Sequence, residues 1–175
     1  RFHRYREMEG TIRMVEIKHT AASGWAVYFF CDRGDAPAKV PVRTAVGIDL
    51  GLTTFATLSD GGTVENPRYF RKGAAALAGR QRACARKRRD SQSRARARIL
   101  VARAHERIRN QRMDFFRKVA CALFARYDLI SHEDLGIAGL AQGHLAKSIG
   151  DAAWGRFIGI LTCKAESAGK WVVPV

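Results

Sequence analysis

Two Ala- and Arg-dense stretches, residues 74–89 and 94–127, follow a sequence that up to residue 66 reads as β structure. Ala and Arg are both strong helix formers. Asp90-Ser91-Gln92-Ser93 separates the stretches, with Ser93 placed to cap the second. At 1.5 Å per residue a helix over 94–127 would run about 51 Å. Val101, Ala104, Ile108, Phe115, Val119 and Leu123 fall near one face of it. The pattern predicts a long helical hairpin inserted in a β framework.

The framework begins with residues 1–31, where Ile12, Met14 and Ile17 alternate imperfectly with Arg13, Glu16 and Lys18. Ala22-Ser23-Gly24 supplies a turn, and Trp25 to Cys31 is rich in β-formers. Asp32 to Pro41 reads as a linker. Residues 45–66 form a second β unit: the apolar run Ala45 to Leu50, then Thr53 to Ser59, the turn Asp60-Gly61-Gly62, and a return strand Thr63-Val64-Glu65 stopped by Asn66-Pro67. After the hairpin, Leu129 to His132 reads as a short strand. Ser148 and Asp151 suggest a capping box for a helix whose stripe is Trp154, Phe157, Ile158, Leu161, Ala165 and Ala168. Gly169 suits its end, and Lys170 to Val175 reads as the last strand. Three antiparallel strands followed by alternating helix and strand predict an α/β fold with a mixed sheet and helices on its faces.

Charge narrows the function. There are 31 Lys and Arg against 16 Asp and Glu, a net of +15. Such a field concentrates polyanions, because phosphate contacts release condensed counterions. An anionic membrane surface would instead require a strongly amphipathic segment or lipid anchor. No apolar run is long enough to span a bilayer, and no membrane partner is expected. Cys31, Cys84, Cys121 and Cys163 lie far apart without a C-x-x-C, so they are read as packing or surface thiols and no zinc is expected on this chain. The scattered thiols suit a reducing, cytoplasmic compartment.

Most of the excess charge lies in one place. Residues 71–112 contain 15 Lys and Arg and only two acids, Asp90 and Glu106. Solvated helix faces usually mix signs, and this one does not. Arg80, Arg82, Arg86, Lys87, Arg88, Arg89, Arg94, Arg96, Arg98, Arg103, Arg107 and Arg112 are the candidate nucleic-acid contacts. The planar guanidinium matches phosphate oxygens bidentately, and such contacts position a duplex without reading its sequence.

Two acids stand at the ends of apolar strands, Asp49 and Glu133. A carboxylate there needs a metal, a partner or water. If their strands are parallel neighbours, both side chains meet at one sheet edge and can hold Mg²⁺ or Mn²⁺ through hard oxygen ligands. A two-metal arrangement of this kind hydrolyses phosphodiesters. The competing readings are that Asp49 caps a turn before Leu50-Gly51, and that Asp134 takes the role of Glu133. Gly47 to Thr54 also resembles the phosphate loop of actin- and Hsp70-type ATPases, a reading that leaves the basic hairpin without a role.

Several blocks together carry a stronger resemblance. They are Gly47-Ile48-Asp49-Leu50-Gly51-Leu52 leading into Phe55-Ala56, Glu65-Asn66-Pro67-Arg68, His105-Glu106-Arg107-Ile108, and Asn110-Gln111-Arg112 with Asp114-Phe115. Glu133-Asp134-Leu135, Leu145-Ala146-Lys147-Ser148-Ile149 and Trp154-Gly155-Arg156-Phe157 complete them. In order and spacing the chain resembles the TnpB (OrfB-type) proteins of insertion sequences, also called transposases. The resemblance implies an RNase H/RuvC-like nuclease domain over 44–175, with the basic helical hairpin at 74–127, preceded by a partial β-barrel, wedge-like segment at 1–43. It implies an RNA-guided DNA endonuclease of the bacterial cytoplasm and nucleoid. Asp49 and Glu133 would be catalytic and metal-binding acids for Mg²⁺ or Mn²⁺, and DNA and a guide RNA would be the partners.

The sequence also departs from that family. The third acid and the four-cysteine zinc ribbon would follow Val175, so the chain reads as a fragment, expected to bind nucleic acid and to cleave it weakly or not at all. The alternative is a non-catalytic nucleic-acid-binding remnant. Ser131-His132 stands where the family usually has apolar residues before the acid.

Overall fold

A computed structural model describes residues 7–134 and 152–175. The chain divides into two compact units, Arg1–Asp35 with Gly79–Glu106, and Ala36–Ala78 with Arg107–Val175. The capping box read at Ser148 and Asp151 lies outside the described residues.

In the first unit, β1 (Thr11–Thr20) and β2 (Gly24–Asp32) pair antiparallel from Thr11–Asp32 to Thr20–Gly24, with an irregularity between Ile12 and Met14. Gly24 takes the turn at φ 76°. Where the sequence predicted part of a β-barrel, the described residues form a two-stranded ribbon and no closed barrel. Two strands cannot close a sheet on itself, and Trp25 remains 74% exposed. The turn is tied to the basic helices of the same unit: Ser23 Oγ donates to Glu106 (3.0 Å) and Arg103 Nε to the Ala22 carbonyl (3.2 Å).

The second unit holds a five-stranded mixed sheet. Its strands are β3 (Ala45–Leu50), β4 (Thr54–Leu58), β5 (Thr63–Glu65), β6 (Leu129–His132) and β7 (Trp171–Pro174), in the order β5-β4-β3-β6-β7. The β5-β4-β3 side is antiparallel, and β3-β6 and β6-β7 are parallel. Gly61 supplies the φ of 87° required by the β4–β5 turn.

Three helices are described. α1 spans Tyr69–Ala85 and α2 spans Gln92–Arg126, the hairpin read from the sequence. α1 starts earlier than the composition suggested, just past Pro67-Arg68, where Asn66 Oδ1 accepts the Arg68 amide (3.0 Å) and the Lys72 amide already bonds back to the Arg68 carbonyl. α2 also starts earlier, so its cap is Ser91 and not Ser93: Ser91 Oγ accepts the Arg94 amide at 3.1 Å. α3 (Trp154–Ala168) ends at Gly169 in the left-handed conformation, as read.

One face of this sheet is buried. Val46, Ile48 and Leu50 from β3 and Ile130 from β6 meet Phe116, Val119, Ala120 and Leu123 of α2 and Phe157, Leu161 and Ala165 of α3 in one core. The α2 positions repeat at intervals of three and four, the spacing of a single helix face. Phe55 anchors the cluster, with ring centroids 5.0 Å from Phe115, 5.6 Å from Phe116 and 5.0 Å from Phe157. Such ring pairs add about 0.5–1.5 kcal/mol beyond their buried area.

Candidate acid pair and arginine-rich hairpin

Strand alternation decides which way each acid points. On β3, Val46, Ile48 and Leu50 are buried, so Gly47 and Asp49 belong to the opposite face. On β6, Ile130 and His132 are buried, which puts Ser131, and next Glu133, on that same opposite face. The parallel register pairs Ala45 with Leu129 and Ile48 with His132. One step further along both strands sets Asp49 level with Glu133. Asp49 near the end of β3 and Glu133 just past the end of β6 therefore fall at one rim of the sheet. Both are exposed, and among the described residues neither carboxylate makes a hydrogen bond or ion pair.

The competing readings fare differently. The Gly51 amide, which a turn-capping Asp49 would take, donates to the Phe55 carbonyl at 3.2 Å. Asp134 extends the β7 ladder through its amide to the Val175 carbonyl (3.0 Å), and alternation turns its side chain away from Asp49. Gly47 keeps the shared face low: a Cβ there would lie 3.5 Å from Ser131 Oγ and 3.6 Å from Ser59 Cβ. Two exposed carboxylates on neighbouring strands fit a hard divalent cation as a partial ligand set. Among the described residues no group of three or more His, Cys, Asp or Glu is arranged to hold a metal ion.

The opposite rim also carries acids, but there they are satisfied. Asp128 Oδ2 accepts the Arg43 and Thr44 amides and the Thr44 hydroxyl, each at 3.2 Å, and its Oδ1 faces Lys170 Nζ at 3.2 Å. The Arg43 amide, then Lys170 and Thr44, hold the Asp128 carboxyl below the usual carboxylate range. Lys170 also donates to the Phe124 and Tyr127 carbonyls (2.6 and 3.0 Å), so this cluster fastens the starts of β3, β6 and β7 to the end of α2. Asp60 is likewise held low, chiefly by the Tyr127 hydroxyl and then by the Gly62 amide and Arg126. Sequence reasoning missed this fastening. Lys170 and Asp128 flank two strand starts, but nothing local marks them as partners.

Of the candidate arginine-segment contacts, Arg80, Arg82, Arg86, Lys87, Arg88, Arg89, Arg96, Arg98, Arg103 and Arg107 are exposed, and Arg94 and Arg112 are half-buried. Arg80 ties the two helices through the Leu100 carbonyl (3.2 Å), and Arg94 holds the turn through the Lys87 carbonyl (3.0 Å). These bonds consume donors but leave the charge. Around the α1–α2 turn, Arg89, Asp90, Ser91, Gln92, Arg94, Ala95 and Arg98 line a hollow of about 520 Å³. Arg112 sits elsewhere, with Phe55, Asn66 and Tyr69 among the residues around it. No helix among the described residues is long and apolar enough to cross a membrane.

The architecture defines a class: a basic α/β protein whose mixed sheet presents two acids at one rim and carries an inserted arginine-rich helical hairpin. Residues 15–143 match the sequence profile of the OrfB_IS605 family, described as "Probable transposase". The chain belongs to that family. It is 37% identical over 162 residues to a "Putative RNA-guided DNA endonuclease" of Streptomyces pristinaespiralis, covering 92% of this chain and 40% of that protein. It is 28% identical over 142 residues to the "Putative RNA-guided DNA endonuclease InsQ" of Escherichia coli (strain K12), covering 81% of this chain and 35% of that protein. The chain thus spans well under half the length of these relatives.

Proposed function

We propose that the chain is part of a TnpB-like, RNA-guided DNA endonuclease with an RNase H/RuvC-like nuclease domain, acting on nucleic acid in the bacterial cytoplasm and nucleoid. The observation that carries this reading is the parallel pairing of β3 with β6, whose register runs to Ile48–His132, the residues that directly precede Asp49 and Glu133. The kinship with proteins named RNA-guided DNA endonucleases supports it. So does the strand order, three antiparallel strands followed by two parallel ones reached through helices.

Asp49 and Glu133 would hold Mg²⁺ or Mn²⁺, which when bound supplies an activated water and stabilises the leaving oxygen of a phosphodiester. The acids' part is to bind and orient: both are solvent-facing, and among the described residues neither carboxylate has a contact that must break first. The exposed arginines of α1 and α2 grip guide RNA and DNA by their phosphates. A second reading, a nucleic-acid-binding remnant without cleavage, is favoured by one observation: the described residues supply two carboxylates at the rim and no third ligand.

Isothermal titration with Mn²⁺, comparing the chain with Asp49→Ala, tests the acid pair. Binding that disappears in the variant supports the nuclease reading. No binding by the unaltered chain leaves the remnant.

A further inference from the structure

We infer that His132 is a positioning residue for Glu133, an inference that rests on the acid pair proposed above. His132 is buried, at 9% exposure, and no other polar or charged residue among the described residues is buried. Its neighbours in the ladder are apolar, Ile48 on β3 and Pro174 on β7. An imidazole in such a place is costly unless hydrogen-bonded. Its partner is the Glu133 carbonyl, 2.9 Å from Nδ1. A carbonyl can only accept, so Nδ1 carries the proton.

The bond matters because of where β6 stops. The His132 carbonyl accepts the Val175 amide at 2.9 Å, and the Asp134 amide donates to the Val175 carbonyl at 3.0 Å. The Glu133 carbonyl lies at the strand end, and the imidazole is what it bonds to. With that bond, the peptide groups on both sides of the Glu133 α-carbon are held, and the backbone torsions of the acid are fixed beside Asp49. Without it, the Glu133–Asp134 peptide is held on one side only, by the Asp134 amide to the Val175 carbonyl, and a three-torsion side chain starts from a less firmly fixed base. A binding pair held this way has less order to lose when it takes up a cation.

Two measurements on the chain test this. The first is the imidazole ¹⁵N spectrum, which reports the tautomer and needs no variant; a proton on Nδ1 is expected, and a neutral ring protonated only at Nε2 overturns the inference. The second is Mn²⁺ titration of His132→Leu and His132→Asn, each with a melting curve. Leucine fills the buried site without a donor, while the asparagine amide can reach the same carbonyl. His132→Leu is expected to melt no lower than the unaltered chain yet bind Mn²⁺ about tenfold more weakly, as for lost partners of metal ligands. His132→Asn is expected to restore binding to within about twofold, the residual being the imperfect overlay of amide on imidazole. Equal affinity in His132→Leu, or no rescue by His132→Asn, refutes the role. Absence of Mn²⁺ binding by the unaltered chain, with Nδ1 protonated, is a different failure: it removes the acid pair and leaves His132 as a strand-end cap.

Discussion

Replacing Gly169 by Ala removes two conditions on which the junction of α3 and β7 depends. The residue sits at φ 64° and ψ 24°, ending the helix through its amide to the Glu166 carbonyl (3.3 Å), while Lys170 bonds to the Ala165 carbonyl (2.8 Å). An L side chain in this region costs about 1–2 kcal/mol. A Cβ here would also lie 2.4 Å from the Ala38 carbonyl oxygen, a separation real Cβ atoms essentially never show. The obstacle is backbone, so residues 37–40 must move, and the Val40 amide to Gly169 carbonyl bond (2.7 Å) is broken or stretched. A hydrogen bond contributes about 1 kcal/mol. The sum is about 2–3 kcal/mol, which at this chain length lowers Tm by roughly 4–12 °C. Urea unfolding of Gly169→Ala and Gly169→Asn separates the parts. Asparagine tolerates the left-handed region but keeps the Cβ, so it should recover about 1 kcal/mol and no more. An alanine variant within about 0.5 kcal/mol of the unaltered chain would refute the reasoning.

The low carboxyls of Asp128 and Asp60 give stability that is present above their unfolded values and lost as pH falls through the folded ones. Melting curves from pH 6 down to about pH 2 should therefore show an acid loss that Asp128→Asn reduces; an unchanged slope would count against the cluster. Binding of duplex RNA or DNA should weaken steeply with salt. Charge removal at exposed Arg86, Arg88 and Arg89 should lower the slope of log K against log salt by about 0.9 for each phosphate left unneutralised on a B-form duplex. A slope that stays the same places the phosphate-binding groups elsewhere.

The sequence made the second unit legible where periodicity and punctuation agree. The run from Ala45 to Leu50 buries every second residue, and Asp60-Gly61-Gly62 turns as its glycines require. The strands that precede Asp49 and Glu133 were read as parallel neighbours, and β3 and β6 pair in that way. What escaped was non-local. Asp128 and Thr44 bond across 84 residues, and no pattern within either segment announces the other. His132 looked like an intruder before an acid, because its value lies in a strand-end carbonyl that only the fold defines. Ser93 was read as the cap of α2, but the helix begins earlier and Ser91 takes that role. In the first unit Ile12 to Ile17 read correctly as β structure, but alternation cannot count the strands a sheet will hold.

The insertion of the helical hairpin between β5 and β6 has a kinetic meaning. Every pairing across β3 and β6 spans the same 84 residues as the Thr44–Asp128 bond, whereas β3, β4 and β5 can zip locally. Closing so large a loop carries an entropic toll before any long-range contact repays it. During synthesis the arginine-rich hairpin thus emerges before β6, so its dense positive charge is present before β6 can pair with β3.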